Sequence, residues 1–225
     1  MLKAVIFDLD GTLLDSLFDV GSAMNKVLLS RGYPARELDE YRFFMGQGAY
    51  ILAERALPDG AEDAEIRSAA EEYNAVYTAR TVDNTRPYDG VPGALRDIDA
   101  LGIPICVLSN KADSQVGPMV RGYFPDVRFA MIRGQRGLIP TKPDPGCALE
   151  FARLAAAAPG ETAFVGDTGI DMKTSVNAGM YGVGVLWGLR DAAELRRYGA
   201  KRLISSPDEL AGIFAEELEF GAARG

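Results

Sequence analysis

Short apolar runs that end in acidic or polar residues are the feature that most constrains the fold of this 225-residue chain. Three such runs cover residues 4–7, 103–108 and 163–165, and they stop at Asp8, Ser109 and the pair Gly166-Asp167. Continuous apolar runs without polar alternation are typical of strands that are buried on both faces of a parallel sheet. Further strands are predicted over 128–132, 182–186 and 202–204.

Helical patterns separate these runs. They cover 93–101, 113–123, 145–157, 171–178, 192–198 and 207–218. Strands that alternate with helices indicate an α/β fold with right-handed crossovers. We therefore expect a Rossmann-like parallel sheet with helices on both faces.

The stretch 15–86 departs from this alternation, because no second strand is predicted within it. Its pattern indicates helices over 17–31, 38–44, 49–56 and 61–81, with linkers near 14–16 and 85–90. The predicted α/β core therefore comprises residues 1–14 and 87–225, and residues 15–86 form an inserted helical domain.

The chain contains no histidine. This absence excludes Ser-His-Asp and Cys-His catalysis, zinc sites built on a carboxylate-histidine pair, and pH switches based on imidazole. Acid-base chemistry must therefore use carboxylates, lysine, tyrosine or cysteine.

Acidic residues outnumber basic ones by 32 to 24, which gives a net charge of −8 and a pI near 4.7. Binding to phosphate backbones or anionic membranes needs clustered positive charge, so neither nucleic acid nor a membrane is an expected partner. The first apolar run is too short for a signal peptide, and no apolar stretch reaches the roughly 18 residues of a spanning helix. Cys106 and Cys147 lack metal-ligand spacing, and we expect a cytoplasmic protein.

Four aspartates follow predicted strands, where ligands bind in open parallel sheets. Asp8 and Asp10 come after the first strand, and Asp167 and Asp171 come after a later one. Their carboxylates are oxygen ligands of the type that Mg²⁺ prefers. A turn with solvated acids at Asp8 and Asp10, and a helix cap at Asp171, are the structural alternatives.

Ser109, Asn110 and Lys142 add groups that can bind an anion at the same edge of the sheet. Ser109 and Asn110 offer a hydroxyl and an amide, although the pair is equally typical of a helix cap or turn. Pro143 restricts the backbone of Lys142, which suits a fixed positive charge, and an exposed surface lysine is the structural alternative.

Taken together, these motifs resemble those of the haloacid dehalogenase superfamily over nearly the whole chain. They are Asp-Leu-Asp-Gly-Thr at 8–12, Ser-Asn at 109–110, Lys-Pro at 142–143, and Gly-Asp-x-x-x-Asp at 166–171. The helical insert at 15–86 stands where that family has its small helical cap.

The resemblance implies a role for each motif residue. Asp8 would be the nucleophile that forms an aspartyl-phosphate, and Asp10 the general acid and base. Lys142, the third catalytic residue, would hold phosphoryl oxygens, and the other phosphate-binding residues would be Ser109, Asn110, Gly11 and Thr12. A Mg²⁺ cofactor would be bound by Asp8, Asp10, Asp167 and Asp171, with Asp10 contributing its backbone carbonyl.

Charge arithmetic sets a condition on this mechanism. Four ionised carboxylates outweigh the three positive charges of one Mg²⁺ and Lys142, so a phosphomonoester dianion would be repelled. We therefore expect Asp10 to carry a proton when substrate binds, as a general acid must.

The segment around Gly46, Gln47 and Gly48 resembles the cap of phosphoglycolate phosphatases, although the two glycines could merely open a helix. A small phosphorylated metabolite is the expected partner, with 2-phosphoglycolate favoured as substrate. The alternatives are β-phosphoglucomutase-like phosphoryl transfer, pyrophosphate hydrolysis, and a phospho-accepting domain of the receiver type. The oligomeric state is not predicted.

Overall fold

The computed structural model describes residues 1–79 and 84–214. The strands are β1 (Ala4–Phe7), β2 (Leu14–Asp15), β3 (Arg86–Pro87), β4 (Ile105–Ala112), β5 (Phe129–Gln135), β6 (Thr162–Gly166), β7 (Tyr181–Val185) and β8 (Arg202–Ile204). Six of them form one parallel sheet in the order β5-β4-β1-β6-β7-β8, and β2 pairs with β3 in a separate antiparallel sheet. The α/β fold predicted from the sequence is confirmed.

Helices connect the strands. They are α1 (Leu17–Ser30), α2 (Tyr41–Phe44), α3 (Gly48–Ala56), α4 (Asp63–Ala79), α5 (Val91–Ala100), α6 (Asp113–Tyr123), α7 (Gly146–Leu154), α8 (Gly169–Ala178) and α9 (Ala192–Arg197), with 3-10 turns at Leu38–Glu40 and Pro159–Glu161. Residues 209–214 are also helical, and positions 80–81 and 215–218 of two predicted helices lie outside the described residues. No helix in the described ranges is long and apolar enough to cross a membrane.

The central strand β1 shows why the sheet forms. All four of its side chains are fully buried, with Val5 and Phe7 in one apolar cluster and Ile6 in the other. Helices α5 and α6 cover the first face, and α7 covers the second. Burial of a large apolar side chain contributes about 1.5–3 kcal/mol, so an uninterrupted apolar run strongly favours this two-sided position.

The first apolar cluster continues beyond the sheet into helices α1 to α4. Leu14 of β2, Tyr41 of α2 and Leu52 of α3 belong to it, together with Val91 at the start of α5. The helices of 17–79 therefore pack against the same apolar layer that covers the sheet, above the carboxyl ends of its strands.

Strands β2 and β3 occupy the two positions where the sequence predicts linkers. Leu14 faces Pro87 and Asp15 faces Arg86 in this antiparallel pair. Each strand has only two residues, which is too short for a hydrophobic pattern to be visible. The chain thus leaves and re-enters the α/β core at an antiparallel pair of short strands.

Strand β4 extends further than predicted. The sequence places its end at residue 108, whereas the strand continues to Ala112, which pairs with Gln135 of β5. Polar side chains do not end a strand while its neighbour still supplies backbone partners. Ser109, Asn110 and Lys111 are therefore held within a strand.

Candidate active site

Three carboxylates from different segments meet at the carboxyl end of the sheet. Asp8 follows β1, Asp167 follows β6, and Asp171 lies in the first turn of α8. One oxygen of each lies within 4.8 Å of the others, and all three residues are buried. The parallel pairing of β1 with β6, Phe7 opposite Val165, brings these distant positions together.

Lys142 stands between two of these acids. Its Nζ donates to Asp8 Oδ1 and to Asp171 Oδ1, each over 2.7 Å. Burial opposes the charged form, but the neighbouring Asp171 and Asp8 raise the pKa of Lys142 above its ordinary value. Lys142 is therefore buried and held in place by two carboxylates.

The acids themselves are difficult to ionise together. Burial, opposed by Lys142 but reinforced by Asp171 and Asp167, raises the pKa of Asp8 well above its usual range. Burial and Asp171 raise the pKa of Asp167 to about 7, against the hydrogen bonds from Leu189 and Thr12. Three carboxylates share one close lysine, so another positive charge would stabilise the ionised cluster.

This donor set fits a hard divalent cation. Carboxylate oxygens are the ligands that Mg²⁺ prefers, and the cluster provides three that are close enough to share one ion. Asp167 is also held in place, since Oδ1 accepts from Thr12 Oγ1 over 3.0 Å and Oδ2 accepts from the Leu189 N–H over 2.8 Å. The Asp10 carboxylate lies outside the cluster of Asp8, Asp167 and Asp171.

Asp10 instead pairs with a residue that the sequence analysis did not single out. Lys111 Nζ donates to both Asp10 oxygens, over 3.1 and 3.2 Å, and Ser16 Oγ donates to Oδ1 over 2.6 Å. The same ammonium lies 4.1 Å from the centre of the Tyr77 ring. Lys111 stands two positions after Ser109 on β4, and this alternation on one strand is the signal that could have identified it.

Gly11 and Thr12 both lie against Asp167. Gly11 has φ +90°, and a Cβ there would come within 2.3 Å of Asp167 Oδ2. The N–H groups of Gly11 and Thr12 donate to Leu14 O and Leu9 O within the turn. The tight turn itself therefore uses these two backbone donors, and the phosphate contacts of Gly11 and Thr12 stay a prediction.

Gly188 lies in the bend that follows β7, outside the strands and helices predicted from the sequence. A Cβ at this position would lie 2.3 Å from Asp167 Cβ and 2.4 Å from Gly11 O. The neighbouring Trp187 donates its indole N–H to Thr12 O over 3.0 Å. The segment 187–189 thus packs directly against Asp167, which only a glycine at 188 permits.

Ser109 and Asn110 have different positions. Ser109 lines a cavity with Asp8 and Asp10, and its Oγ accepts from the Lys111 N–H over 3.1 Å, which leaves the hydroxyl hydrogen for another partner. Asn110 Oδ1 accepts from the Lys142 N–H over 2.8 Å, and Nδ2 donates to the carbonyls of Lys142 and Gly46 over 3.0 Å each. The Asn110 side chain therefore positions Lys142, and a phosphate contact of Asn110 stays a prediction.

The predicted specificity residues, at the start of α3, line two different cavities. Gly46 and Gly48, at φ +108° and +85°, line the cavity that contains Asp8, whereas Gln47 lines a separate cavity with Arg55 and Arg190. Arg190 donates to the carbonyl oxygens of Arg42, Phe43 and Met45. Asn110 of β4 thus hydrogen-bonds to Gly46, and Arg190 hydrogen-bonds to the residues that precede it.

The cavity above Asp8 has an empty volume of about 490 Å³, including its open mouth. Asp8, Asp10, Ser109 and Lys111 lie at the sheet end of its wall. Residues of α1, α3 and α4 form the opposite wall. The arrangement can hold a small molecule between the buried Asp8 carboxylate, just after β1, and the helices above it.

Comparisons with known proteins agree with this geometry. The model of the haloacid dehalogenase-like hydrolases matches residues 5–185. A phosphoglycolate phosphatase from Pseudomonas putida is 34% identical over 190 residues, which cover 83% of this chain and 70% of that protein. One from Pseudomonas fluorescens is 31% identical over 191 residues, with coverage of 83% and 70%.

A solved structure shows the same fold over almost the whole chain. It is a candidate phosphoglycolate phosphatase from Lactobacillus delbrueckii subsp. bulgaricus, with a TM-score of 0.86 and 25% identity. The match covers 93% of this chain and 96% of that one. The resemblance predicted from the four motifs is therefore confirmed, and the chain belongs to the haloacid dehalogenase-like hydrolases.

Proposed function

We propose that this enzyme is a Mg²⁺-dependent phosphatase that hydrolyses a small phosphomonoester through an aspartyl-phosphate on Asp8. The favoured substrate is 2-phosphoglycolate, which yields glycolate and phosphate. The observation that carries the proposal is the placement of Asp8 at the end of β1, bonded to Lys142 and close to Asp167 and Asp171. The names of the Pseudomonas relatives support the choice of substrate.

Residues 15–86 would act as a cap over a core made of 1–14 and 87–225. The pairing of β2 with β3 supports this division, because the chain enters and leaves the helical stretch at one place. The hydrogen bond from Asn110 to Gly46 O supports a position of the cap against the sheet end. Closure of such a site excludes water from the first chemical step.

In the first step, an Asp8 carboxylate oxygen attacks phosphorus, and the bond from phosphorus to the ester oxygen breaks. Asp10 gives a proton to the departing oxygen, so the alcohol leaves neutral. Lys142, which is bonded to Asp8, and the Ser109 hydroxyl, which lines the cavity, would bind phosphoryl oxygens as negative charge develops on them.

In the second step, water attacks the phosphorus of the aspartyl-phosphate and gives a proton to Asp10. The bond from phosphorus to the Asp8 oxygen breaks, which releases inorganic phosphate and restores the Asp8 carboxylate and the protonated form of Asp10. Ser16 and Lys111 orient Asp10 for this work through their bonds to its oxygens. The sum of both steps is ester plus water to alcohol plus phosphate.

The metal would be held by Asp8, Asp167 and Asp171, with the Asp10 backbone carbonyl as the fourth protein ligand. When bound, Mg²⁺ supplies positive charge that offsets the phosphoryl oxygens in the transition state. Lys111 contributes a positive charge that the sequence arithmetic did not include. The sum of the site's positive charges and its four carboxylates is therefore closer to neutral.

Phosphate release with and without Mg²⁺ tests this proposal. The panel contains 2-phosphoglycolate, p-nitrophenyl phosphate, pyrophosphate and a hexose phosphate. We expect Mg²⁺-dependent release that is fastest with 2-phosphoglycolate and absent in Asp8→Asn. Interconversion of hexose phosphates without net release would indicate a mutase, and a stable phosphoprotein without turnover would indicate a receiver-type domain; either result contradicts the proposal.

A further inference from the structure

Among residues 1–79 and 84–214, Lys111 is the one positively charged residue that lines the cavity above Asp8. The helical wall opposite it is largely apolar, with Val20, Leu52 and Tyr73 among its residues and Asn74 as a polar exception. A substrate with many hydroxyl groups would lose hydrogen bonds to water against such a wall. The lining therefore favours a short substrate whose polar groups are directed at the sheet end.

The surroundings of Lys111 keep its ammonium charged and fixed. Only 6% of its side-chain surface is exposed, and the Nζ lies between the Asp10 carboxylate and the face of the Tyr77 ring. An ammonium has three N–H donors, and Asp10 accepts two of them. Lys111 can therefore hold Asp10 and donate to another acceptor at the same time.

The position of Lys111 beside Asp10 determines which part of a substrate it can reach. In the proposed function, Asp10 gives its proton to the ester oxygen, so this oxygen lies within hydrogen-bond distance of the Asp10 carboxyl. Lys111 Nζ lies 3.1 Å from that same carboxyl group. A carboxylate that follows the ester oxygen after a single carbon atom comes within reach of the ammonium.

We propose that Lys111 is a specificity-determining residue that binds the carboxylate of the substrate, which assigns the substrate to the phosphate monoesters of short 2-hydroxy acids. This inference rests on the proposed phosphatase function and deepens it. Lys111 thus has two partners, the Asp10 side chain and the acid group of the leaving alcohol. If Lys111 contacted Asp10 alone, it would be a positioning residue, and its loss would slow the hydrolysis of every phosphomonoester equally. If it also binds the carboxylate, its loss slows the hydrolysis of carboxylate-bearing esters most.

A matched pair of substrates separates these roles. Ethyl phosphate has the same carbon chain length as 2-phosphoglycolate but no carboxylate. We expect wild-type kcat/KM to favour 2-phosphoglycolate, and Lys111→Met to reduce this preference by about 10- to 100-fold, the range of one hydrogen bond to a charged group. The decrease should lie mainly in KM for 2-phosphoglycolate, and Lys111→Arg should restore part of the preference.

The preference is the ratio of kcat/KM for 2-phosphoglycolate to kcat/KM for ethyl phosphate. Glycolate and ethanol differ as leaving groups, but this difference is the same in every variant and cancels when the ratios of two variants are compared. Equal losses for both esters in Lys111→Met would show that the lysine only positions Asp10, and would overturn the inference. Inhibition by inorganic phosphate measures how far the loss of this positive charge weakens the binding of every anion, and its inhibition constant should change less in Lys111→Met than KM for 2-phosphoglycolate does.

Wild-type enzyme alone provides a test that does not depend on the folding of a variant. Comparable kcat/KM values for 2-phosphoglycolate and ethyl phosphate would overturn the role of Lys111 while leaving the phosphatase function intact. Absence of phosphate release from every ester of the panel, with Mg²⁺ present, would instead overturn the proposed function and with it this inference.

Discussion

Lys142 Nζ donates to Asp8 Oδ1 over 2.7 Å, although the two residues are 134 positions apart in the chain. Asp8 is held by the end of β1, and Lys142 is held from the other side by Asn110 of β4. The bond therefore depends on the parallel order of the sheet, which places the ends of β1 and β4 side by side. The catalytic chemistry proposed for this chain begins with this pair.

Magnesium should stabilise the protein in a pH-dependent manner. The pKa of Asp167 is raised from 3.8 to about 7 in the metal-free protein, so folding is favoured by its protonated form and loses stability as pH rises through this range. Mg²⁺ requires the ionised form. The rise in Tm on adding Mg²⁺ should therefore be largest at about pH 8, and the apparent Kd should increase about tenfold per pH unit below 7.

Thermal unfolding in matched buffers measures this effect, and Asp167→Asn serves as the control. The variant should lose the Mg²⁺-induced rise in Tm, while its metal-free form should depend less on pH than the wild type does. A shift in Tm that is equally large at about pH 5.5 and pH 8 would contradict the assignment of Asp167 as a ligand.

Alanine at position 188 should disrupt the site. Its Cβ would come within 2.3 Å of Asp167 Cβ and 2.4 Å of Gly11 O, so the segment 187–189 has to move away. We expect a loss of about 1–3 kcal/mol in unfolding free energy, typical of overpacking, together with weaker Mg²⁺ binding.

Gly93→Ala is the matched control for this substitution, because a Cβ at that position meets no atom within 4 Å. Because Gly93 lies within α5, alanine should leave the protein at least as stable as the wild type, by up to about 1 kcal/mol, and should keep its Mg²⁺ affinity, as urea unfolding and metal titration can show. Equal stability and equal Mg²⁺ affinity in the two alanine variants would disprove the close packing at Gly188.

Asp19 should stabilise the connection between α1 and β3. Its carboxylate accepts from the N–H and hydroxyl of Thr85 and from the N–H and side-chain amide of Asn84. Burial opposes ionisation, but these donors hold the pKa of Asp19 below its ordinary value. Asp19→Ala would leave the Thr85 donors unpaired, at a cost of about 2 kcal/mol near neutral pH.

Urea unfolding of Asp19→Ala measures that cost, with the exposed Asp126→Ala as reference. The reference variant should change the unfolding free energy by less than about 0.5 kcal/mol, as is usual for surface sites. If the two variants are equally stable, Asp19 does not anchor the return of the chain to the core.

The sequence predicted the sheet well because its central strands are buried on both faces. Val5, Phe7 and Ile6 leave no polar alternation, and such a run is difficult to place anywhere else. The acids at the ends of these runs could likewise be assigned to one edge of the sheet. Parallel order alone makes Asp8 and Asp167 neighbours.

The features that the sequence did not predict depend on contacts between segments that are distant in the chain. Lys111 is a polar residue on a strand whose end is set by pairing with β5, and Gly188 is required by the side chain of Asp167 rather than by its own turn. The pairing of β2 with β3 is too short to produce a pattern. The Asn110 side-chain amide donates to the carbonyls of Lys142 and Gly46, and these bonds form only because the two segments lie next to each other in the fold.

Direct detection of a phosphoryl group on Asp8 is the most decisive measurement. Asp10→Asn should still be phosphorylated by p-nitrophenyl phosphate, since nitrophenolate leaves without a proton, but it should hydrolyse the intermediate slowly. After turnover with Mg²⁺ and an acid quench, mass spectrometry should find one added phosphoryl group on the peptide that contains Asp8, and none in Asp8→Asn. Steady release of nitrophenol with no phosphorylated Asp8 peptide at any quench time would contradict the nucleophilic role of Asp8.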